Sequence, residues 1–133
     1  MLALARAKNQ EWLIGPDITI TLLKTSIGIN QRGYVKLKIE APIAPHSNCG
    51  TCVREGDYWI VEHVRLDRFY IGSNGFQVVR SGDLSAKLKF NIADDVVVSR
   101  GELRWLHLKL LNGTATAEDM QAAKGTNTNQ RAA

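Results

Sequence analysis

Two segments in which apolar and polar residues alternate strictly constrain the fold of this chain most strongly. Residues 34–40 and residues 86–92 both place an apolar side chain at every second position. Successive side chains of a β-strand point to opposite faces, so a period of two predicts strands with one buried face. The β-branched run at 18–23 predicts a third strand, and we expect the chain to be mainly β.

Shorter apolar runs predict the remaining strands, at 2–6, 58–66, 69–72, 76–79 and 96–98. A short helix is the alternative for residues 58–66. The stretch between 42 and 57 is interrupted by prolines and glycines, and we expect it to be irregular because proline removes a donor from a strand ladder.

One helix is predicted near the end of the chain. Ser99 and Glu102 have the Ser-x-x-Glu spacing of a capping box, in which two side chains satisfy amides at a helix start. Leucines follow at helical spacing up to residue 111, and the Asn-Gly pair at 112–113 is a typical stop. The following residues are poor in apolar side chains, so we expect a disordered tail at 113–133.

The composition fits one globular domain, or two small units that share one core. Of 133 residues, 17 are Lys or Arg and 13 are Asp or Glu, and the pI is about 9.3. The positive charge is mild and evenly spread, so it permits binding to a polyanion without requiring it. No apolar stretch approaches the roughly 20 residues of a membrane span, and no secretory signal pattern is visible, so we expect a cytoplasmic protein.

The two halves of the chain echo each other. Residues 36–41 resemble residues 87–93, and each segment follows a β-branched strand that itself follows an Ile-Gly turn, Ile14-Gly15 or Ile71-Gly72. This order of features indicates two degenerate copies of one unit of roughly 50–60 residues. The alternative is that amphipathic strands in any β protein look alike.

The first 42 residues resemble the carbon storage regulator family (CsrA/RsmA). The motifs that carry the resemblance occur in the family's order: Met1-Leu2-Ala3-Leu4-Ala5-Arg6, then Ile14-Gly15, then Ile39-Glu40-Ala41-Pro42. The family continues with a Val-His-Arg-Glu segment and a helix. The first half departs from that segment at His46-Ser47, whereas Val98-Ser99-Arg100 in the second half retains the arginine.

Members of that family are homodimers whose strands interlock, and each RNA site joins the first strand of one subunit to the fifth strand of the other. The resemblance therefore implies a single-chain pseudo-dimer: an antiparallel β-sheet or barrel with interlocked strands and one C-terminal helix. The expected first repeat is 1–57, the divergent second repeat intertwined with it is 58–112, and the tail is 113–133. A homodimer is the alternative assembly.

The resemblance also implies which residues contact RNA. The expected site consists of Leu4, Ala5, Arg6, Val98, Ser99 and Arg100. A second, weaker site would use Leu66, Arg68, His46 and Arg54. The resemblance implies that the partner is messenger or small RNA with GGA motifs, and not DNA. Arginine suits such a target, because its fork grips a guanine edge or a phosphate and single-stranded loops expose base edges. Binding would control translation or transcript stability, and a protein antagonist is a further expected partner.

Two alternatives stay open at this point. One is a protein-interaction or decoy module on the same scaffold, without RNA binding. The other is a zinc- or redox-sensing variant through His46, Cys49 and Cys52, although two ordinary loop cysteines are the simpler interpretation. The sequence contains no catalytic triad, paired-carboxylate motif or nucleotide-binding fingerprint, so neither catalysis nor a cofactor is expected.

Overall fold

Eleven strands and two helices make up the part of the chain that the computed structural model describes, residues 2–26, 34–47, 51–63, 68–80, 85–93 and 95–124. The first half contributes β1 (Leu2–Ala7), β2 (Glu11–Ile14), β3 (Ile18–Ser26), β4 (Tyr34–Glu40), β5 (Pro45–His46) and β6 (Thr51–Glu55). The second half contributes β7 (Tyr58–His63), β8 (Arg68–Ile71), β9 (Asn74–Arg80), β10 (Ser85–Asn91), β11 (Val98–Arg100), a 3₁₀ turn (Gly101–Leu103), α1 (Arg104–Leu111) and α2 (Ala117–Lys124). The prediction of a mainly β fold is confirmed.

The strands form two antiparallel sheets. Sheet I has the order β1-β10-β9-β8-β5, and sheet II has the order β11-β2-β3-β4-β7-β6. Neither sheet closes on itself within the described residues, so the expected alternative of a barrel is wrong. Among these residues, no helix is long and apolar enough to cross a membrane.

Each sheet combines strands from both halves of the chain. In sheet I, β1 and β5 of the first half flank the meander β8–β10 of the second half. In sheet II, β7 and β11 of the second half flank the meander β2–β4 of the first half, and β6 adds one strand beyond β7. In each sheet, a three-stranded meander from one half of the chain is therefore flanked by two strands from the other half.

The strand registers give corresponding positions in β1 of sheet I and β7 of sheet II, each of which flanks a meander. Leu4 of β1 lies opposite Leu88, and Val61 of β7 lies opposite Leu37. Leu37 and Leu88 are the central residues of the two Lys-Leu-Lys segments that echo each other in the sequence. β7 is therefore the counterpart of β1.

The opposite edges correspond in the same way. Val98 of β11 lies opposite Ile14, and Pro45 of β5 lies opposite Ile71. Each isoleucine precedes a glycine with a positive φ, 60° in one turn and 61° in the other, a conformation that a residue without Cβ adopts readily. β5 is therefore the counterpart of β11.

The inner faces of the two sheets share one hydrophobic core. Trp12 is fully buried, and its indole Nε1 donates to the carbonyl of Leu4 at 3.0 Å, which joins sheet II to sheet I. Phe69 stacks on Phe76 with ring centroids 4.9 Å apart, and Phe76 meets Phe90 edge-on. Burial of these large apolar side chains is the main force that holds the sheets together.

Part of the segment predicted to be irregular is regular in the structure. β5 pairs with β8, and β6 forms a hairpin with β7 through a turn in which Gly56 has φ +61°. The side chains of residues 52–55 are exposed on both faces of β6. Because no face of β6 is buried, apolar alternation does not mark it, and the prediction for this strand is wrong.

The predicted capping box does not form. Ser99 lies within β11, and its hydroxyl bonds the ring of His107 rather than a backbone amide. Glu102 instead binds the guanidinium of Arg6, and the 3₁₀ turn and α1 both begin without a side-chain cap. Tertiary contacts thus occupy both side chains of the motif. The predicted stop after residue 111 is confirmed.

α2 lies in the segment that was expected to be a disordered tail, and that expectation is wrong for this helix. Thr116 Oγ1 accepts from the amide of Asp119 at 3.1 Å, and Asp119 Oδ2 accepts from the amide of Thr116 at 2.9 Å. These reciprocal bonds are a capping box. Ala123 of α2 is buried in a small apolar cluster with Leu106 of α1. Residues 125–133 lie outside the described part.

Candidate nucleic-acid interface

An ion pair joins β1 to the turn that follows β11, across 96 residues of sequence. Arg6 Nη1 lies 2.7 Å from Glu102 Oε2. The Arg6 side chain is 4% exposed, whereas that of Glu102 is 47% exposed. The cation is therefore covered by protein, and its carboxylate partner faces solvent.

Arg100 adds a second positive charge near this carboxylate. Burial alone would raise the pKa of Glu102, but its own backbone amide, the Arg6 guanidinium and the charge of Arg100 together hold that pKa below its ordinary value. Within the described residues, the Nε atoms of Arg6 and Arg100 are buried without a hydrogen-bond partner. Guanidinium groups only donate, so both buried Nε–H groups lack an acceptor in this conformation.

The other four residues of the predicted site are placed differently. Leu4 and Val98 are core residues with at most 1% exposure, and Ser99 is fully buried. Ala5 is exposed on the outer face of sheet I. A ligand at this edge would therefore meet backbone groups and the Ala5 methyl, because the side chains of the other three residues contact the protein interior.

Ser99 belongs to a buried network that fixes β11 against α1. Its hydroxyl lies 2.5 Å from His107 Nδ1, and His107 Nε2 lies 2.7 Å from the carbonyl oxygen of Gly15. A carbonyl only accepts, so Nε2 carries the proton and Nδ1 accepts from the hydroxyl. Burial lowers the pKa of His107 and outweighs the Gly15 carbonyl, which raises it. The ring is therefore neutral, and the network is structural.

An open groove of about 600 Å³ adjoins the ion pair. Its charged lining is of both signs and comprises Arg6, Glu11, Lys38, Glu40 and Glu102. Three carboxylates against two cations do not attract a polyanion. The attraction for an anion at this edge is therefore confined to the two arginines.

The residues of the second predicted site are not assembled as one set. His46 lies in β5 and Arg68 begins β8, and Ser47 Oγ donates to the carbonyl of Arg68 at 3.1 Å. Arg54 lies in β6, which belongs to the other sheet. Leu66 falls outside the described residues.

By strand register, the counterpart of β1 is β7. Arg68 begins β8, inside sheet I. On β7 and β5, the positions that correspond to Arg6 and Arg100 hold His63 and Ser47, and β6 covers the outer side of β7. The arginine pair is therefore a property of the β1–β11 edge alone.

The structure describes two of the three residues of the expected zinc or redox site. Cys52 Sγ donates to the carbonyl of Pro45 at 3.3 Å, and burial raises the pKa of Cys52. His46 is exposed, and Cys49 lies outside the described residues. Within the described part of the chain, no three His, Cys, Asp or Glu side chains are grouped as metal ligands.

Charge is divided unequally between the two sheets, a feature that sequence reasoning missed. The strands of sheet I contain no Asp or Glu, and their basic residues are Arg6, Arg68, Arg80, Lys87 and Lys89. The strands of sheet II carry four glutamates beside five basic residues. The signal lies in the sequence, but it becomes visible only when the strands are sorted by sheet.

Comparison of the chain with protein-family models, with curated proteins and with solved structures found no match. The geometry of the two edges and the two sheet faces therefore carries the functional argument, together with the sequence motifs.

Proposed function

We propose that this protein is a post-transcriptional regulator that binds GGA-containing single-stranded or hairpin-loop RNA, and that it holds both halves of a CsrA-like pseudo-dimer in one chain. The observation that carries the proposal is the exchange of strands between the halves. β1 and β5 flank β8–β10, and β7 and β11 flank β2–β4. Such interlocking is what the family resemblance implies for two subunits.

The positions of the family-like motifs support the same proposal. The Leu-Ala-Leu-Ala-Arg motif lies in β1, the first Ile-Gly pair lies at the β2–β3 turn, and the Ile-Glu motif ends β4. Arg6 of the first strand forms an ion pair with Glu102 in the turn that follows the last strand of the other half. These positions support the proposal because the motifs lie in strands and turns near the proposed site.

The chemistry of the β1–β11 edge suits RNA. The planar fork of arginine binds a phosphate or the O6/N7 edge of guanine in bidentate fashion. Glu102 forms an ion pair with Arg6, and an RNA oxygen would compete with this carboxylate for the guanidinium. Among the described residues, β1 is an outer strand of sheet I, so its outward backbone groups can bind base edges, apart from the Leu4 carbonyl, which accepts from Trp12.

The test is a gel shift with a short hairpin that presents GGA in its loop, compared with a hairpin of equal length that presents CCA. We expect Arg6→Ala and Arg100→Ala each to weaken binding to the GGA hairpin about tenfold, in line with the 1–3 kcal/mol of a bidentate contact. Lys109→Ala, which removes an exposed charge from α1, is the control and should bind as the wild type does. If both arginine variants bind like the wild type, the site is wrong.

One observation favours a second candidate, a protein-interaction module. Trp105 and Leu108 of α1 are 41% and 51% exposed, and they lie three residues apart on one side of the helix. Neighbouring exposed apolar side chains on a helix are typical of a surface that meets another protein. Unchanged mobility of the GGA hairpin at low salt would favour this candidate.

A further inference from the structure

We propose that the outer face of sheet I is a second RNA-binding surface, which takes single-stranded RNA of any sequence and is separate from the β1–β11 edge. Its cations contact phosphates, and the ring of Tyr70 stacks on a base. This surface goes beyond the GGA site, because it needs neither Arg100 nor a particular base sequence.

Strand pairing arranges the cations of this face in rows. Arg68 lies opposite Gln77, and Gln77 lies opposite Lys89, so the three side chains form one row across β8, β9 and β10. Lys87 stands in the neighbouring row, opposite Ala5 of β1. Adjacent strands lie about 4.8 Å apart, so the cations are spread over the face rather than gathered at one point. Such a spread suits a chain of phosphates better than a single anion.

No carboxylate opposes these cations on the described strands of sheet I. The corresponding face of sheet II is different, because Glu11 stands where Arg68 stands and Glu40 stands where Asn91 stands. Lys38 and Lys89 correspond, so each face keeps one lysine at the same place. Charge complementarity to a polyanion is therefore a property of sheet I and not of the fold as such.

The aromatic side chain of this face lies beside its cations. Tyr70 is half-buried, and its ring runs along the bare backbone of Gly75, where an added Cβ would come within 3.3 Å of the ring. A cleft of about 150 Å³ opens here, lined in part by Arg68, Tyr70, Gln77, Lys89 and Asn91. An aromatic ring with amide donors and acceptors around it offers stacking and hydrogen bonds to an unstacked base.

These features favour single-stranded RNA over the other polyanions that a basic face attracts. The bases of a duplex are already stacked on one another, so Tyr70 and the amides would find no free ring or edge. An acidic peptide would use the cations but not the aromatic ring. Cations interleaved with a stacking platform are the combination that single-strand binding uses.

The experiment measures the affinity of a fluorescent oligo(U), which lacks GGA, at several salt concentrations. We expect Lys89→Ala and Arg68→Ala each to reduce the slope of log affinity against log salt by about 0.7, the value for one phosphate contact on a single strand. The matched control is Lys38→Ala, which removes the corresponding lysine from sheet II and should leave the slope unchanged. An equal reduction in Lys38→Ala would overturn the proposal, because net charge alone would then explain binding.

Stacking is tested apart from charge. Tyr70→Leu should weaken oligo(U) binding about tenfold with an unchanged salt slope, whereas Tyr58→Leu in sheet II should have no effect. Circular dichroism and urea unfolding establish that each variant is folded. Wild-type affinity in Tyr70→Leu would overturn the assignment of the stacking platform, and displacement by polyglutamate as effective as by unlabelled oligo(U) would identify an acidic protein as the partner.

The failure of this proposal is distinguishable from the failure of the GGA site. Arg100→Ala should lose affinity for the GGA hairpin and keep its affinity for oligo(U), and Lys89→Ala should lose affinity for oligo(U). Loss of oligo(U) binding in Arg100→Ala would show one continuous site instead of two and would overturn the separation of the surfaces.

Discussion

Sheets I and II have corresponding strands, and their inner faces are similar while their outer faces differ. The inner faces are alike: Phe69 in sheet I and Trp12 in sheet II occupy corresponding positions, and both are fully buried. The outer faces have diverged, because Arg68 and Glu11 also correspond but carry opposite charges. Packing of the inner faces therefore sets the fold, while the outer faces can differ in charge without changing it.

The two pairs of edges differ as well. The β1–β11 edge carries Arg6, Arg100 and the carboxylate of Glu102. Directly after β5, the counterpart of β11, Ser47 stands in the place of Arg100. In the proposed pseudo-dimer, one chain holds both copies and one of them can change alone, whereas a dimer of identical subunits must repeat any change in both.

Substitution of the two corresponding aromatic residues should give the largest effects. Trp12→Ala and Phe69→Ala should each destabilise the protein by about 3–5 kcal/mol, as truncation of large buried side chains does. Trp12 should be the costlier, because its indole also satisfies the buried carbonyl of Leu4. Urea unfolding measures both changes, and a larger loss for Phe69→Ala would contradict the role of Trp12 in linking the sheets.

A second pair of substitutions compares Ser99 with His46, its counterpart in β5. Ser99→Ala should cost about 1–3 kcal/mol, because the buried Nδ1 of His107 would lose its donor. His46 is exposed, and His46→Ala should change the free energy of unfolding by no more than about 0.5 kcal/mol. Similar losses in the two variants would show that the buried network contributes little.

The same network predicts how stability depends on pH. The pKa of His107 is lowered in the folded protein from its ordinary value of 6.5. As the pH falls below 6.5, the unfolded chain takes up a proton that the folded ring does not, so stability should decrease until the folded ring also becomes protonated. His107→Gln should flatten this part of the profile of unfolding free energy against pH, and His46→Ala should leave it as in the wild type.

Replacement of the exposed carboxylate should have the smallest effect on stability. Glu102→Gln should cost about 1 kcal/mol, because the Gln carbonyl can still accept from Arg6 Nη1 while the buried guanidinium loses its counter-charge. The same change should tighten binding of the GGA hairpin severalfold, since the carboxylate competes with RNA for Arg6. Glu118→Gln on α2 is the control. Weaker binding by Glu102→Gln would mean that the carboxylate positions Arg6 for its ligand.

The sequence predicted those strands whose burial is one-sided. β4 has alternating buried positions at Val35, Leu37 and Ile39, as expected from its pattern. The sequence pattern did not predict β6, because neither face of this strand is buried. Alternation of apolar and polar residues therefore predicts a strand only where other parts of the protein bury one of its faces.

The two capping motifs show why local patterns fail elsewhere. Ser99 and Glu102 have the spacing of a capping box but contact His107 and Arg6, whereas Thr116 and Asp119 form a real one. The difference lies in neighbours that are distant in sequence. For the same reason, the sequence indicated the two arginines of the candidate site but not the burial of Arg6, which depends on a partner 96 residues away.

The exchange of strands also sets an order of events during synthesis. The partner of β1 is β10, with Leu4 opposite Leu88, so sheet I cannot be completed until most of the chain has left the ribosome. Until then, β1 and the meander β2–β4 lack the strands that flank them. Pairings so distant in sequence are slow to form. While only the first half has been synthesised, its unpaired strands are therefore most exposed to pairing with other chains.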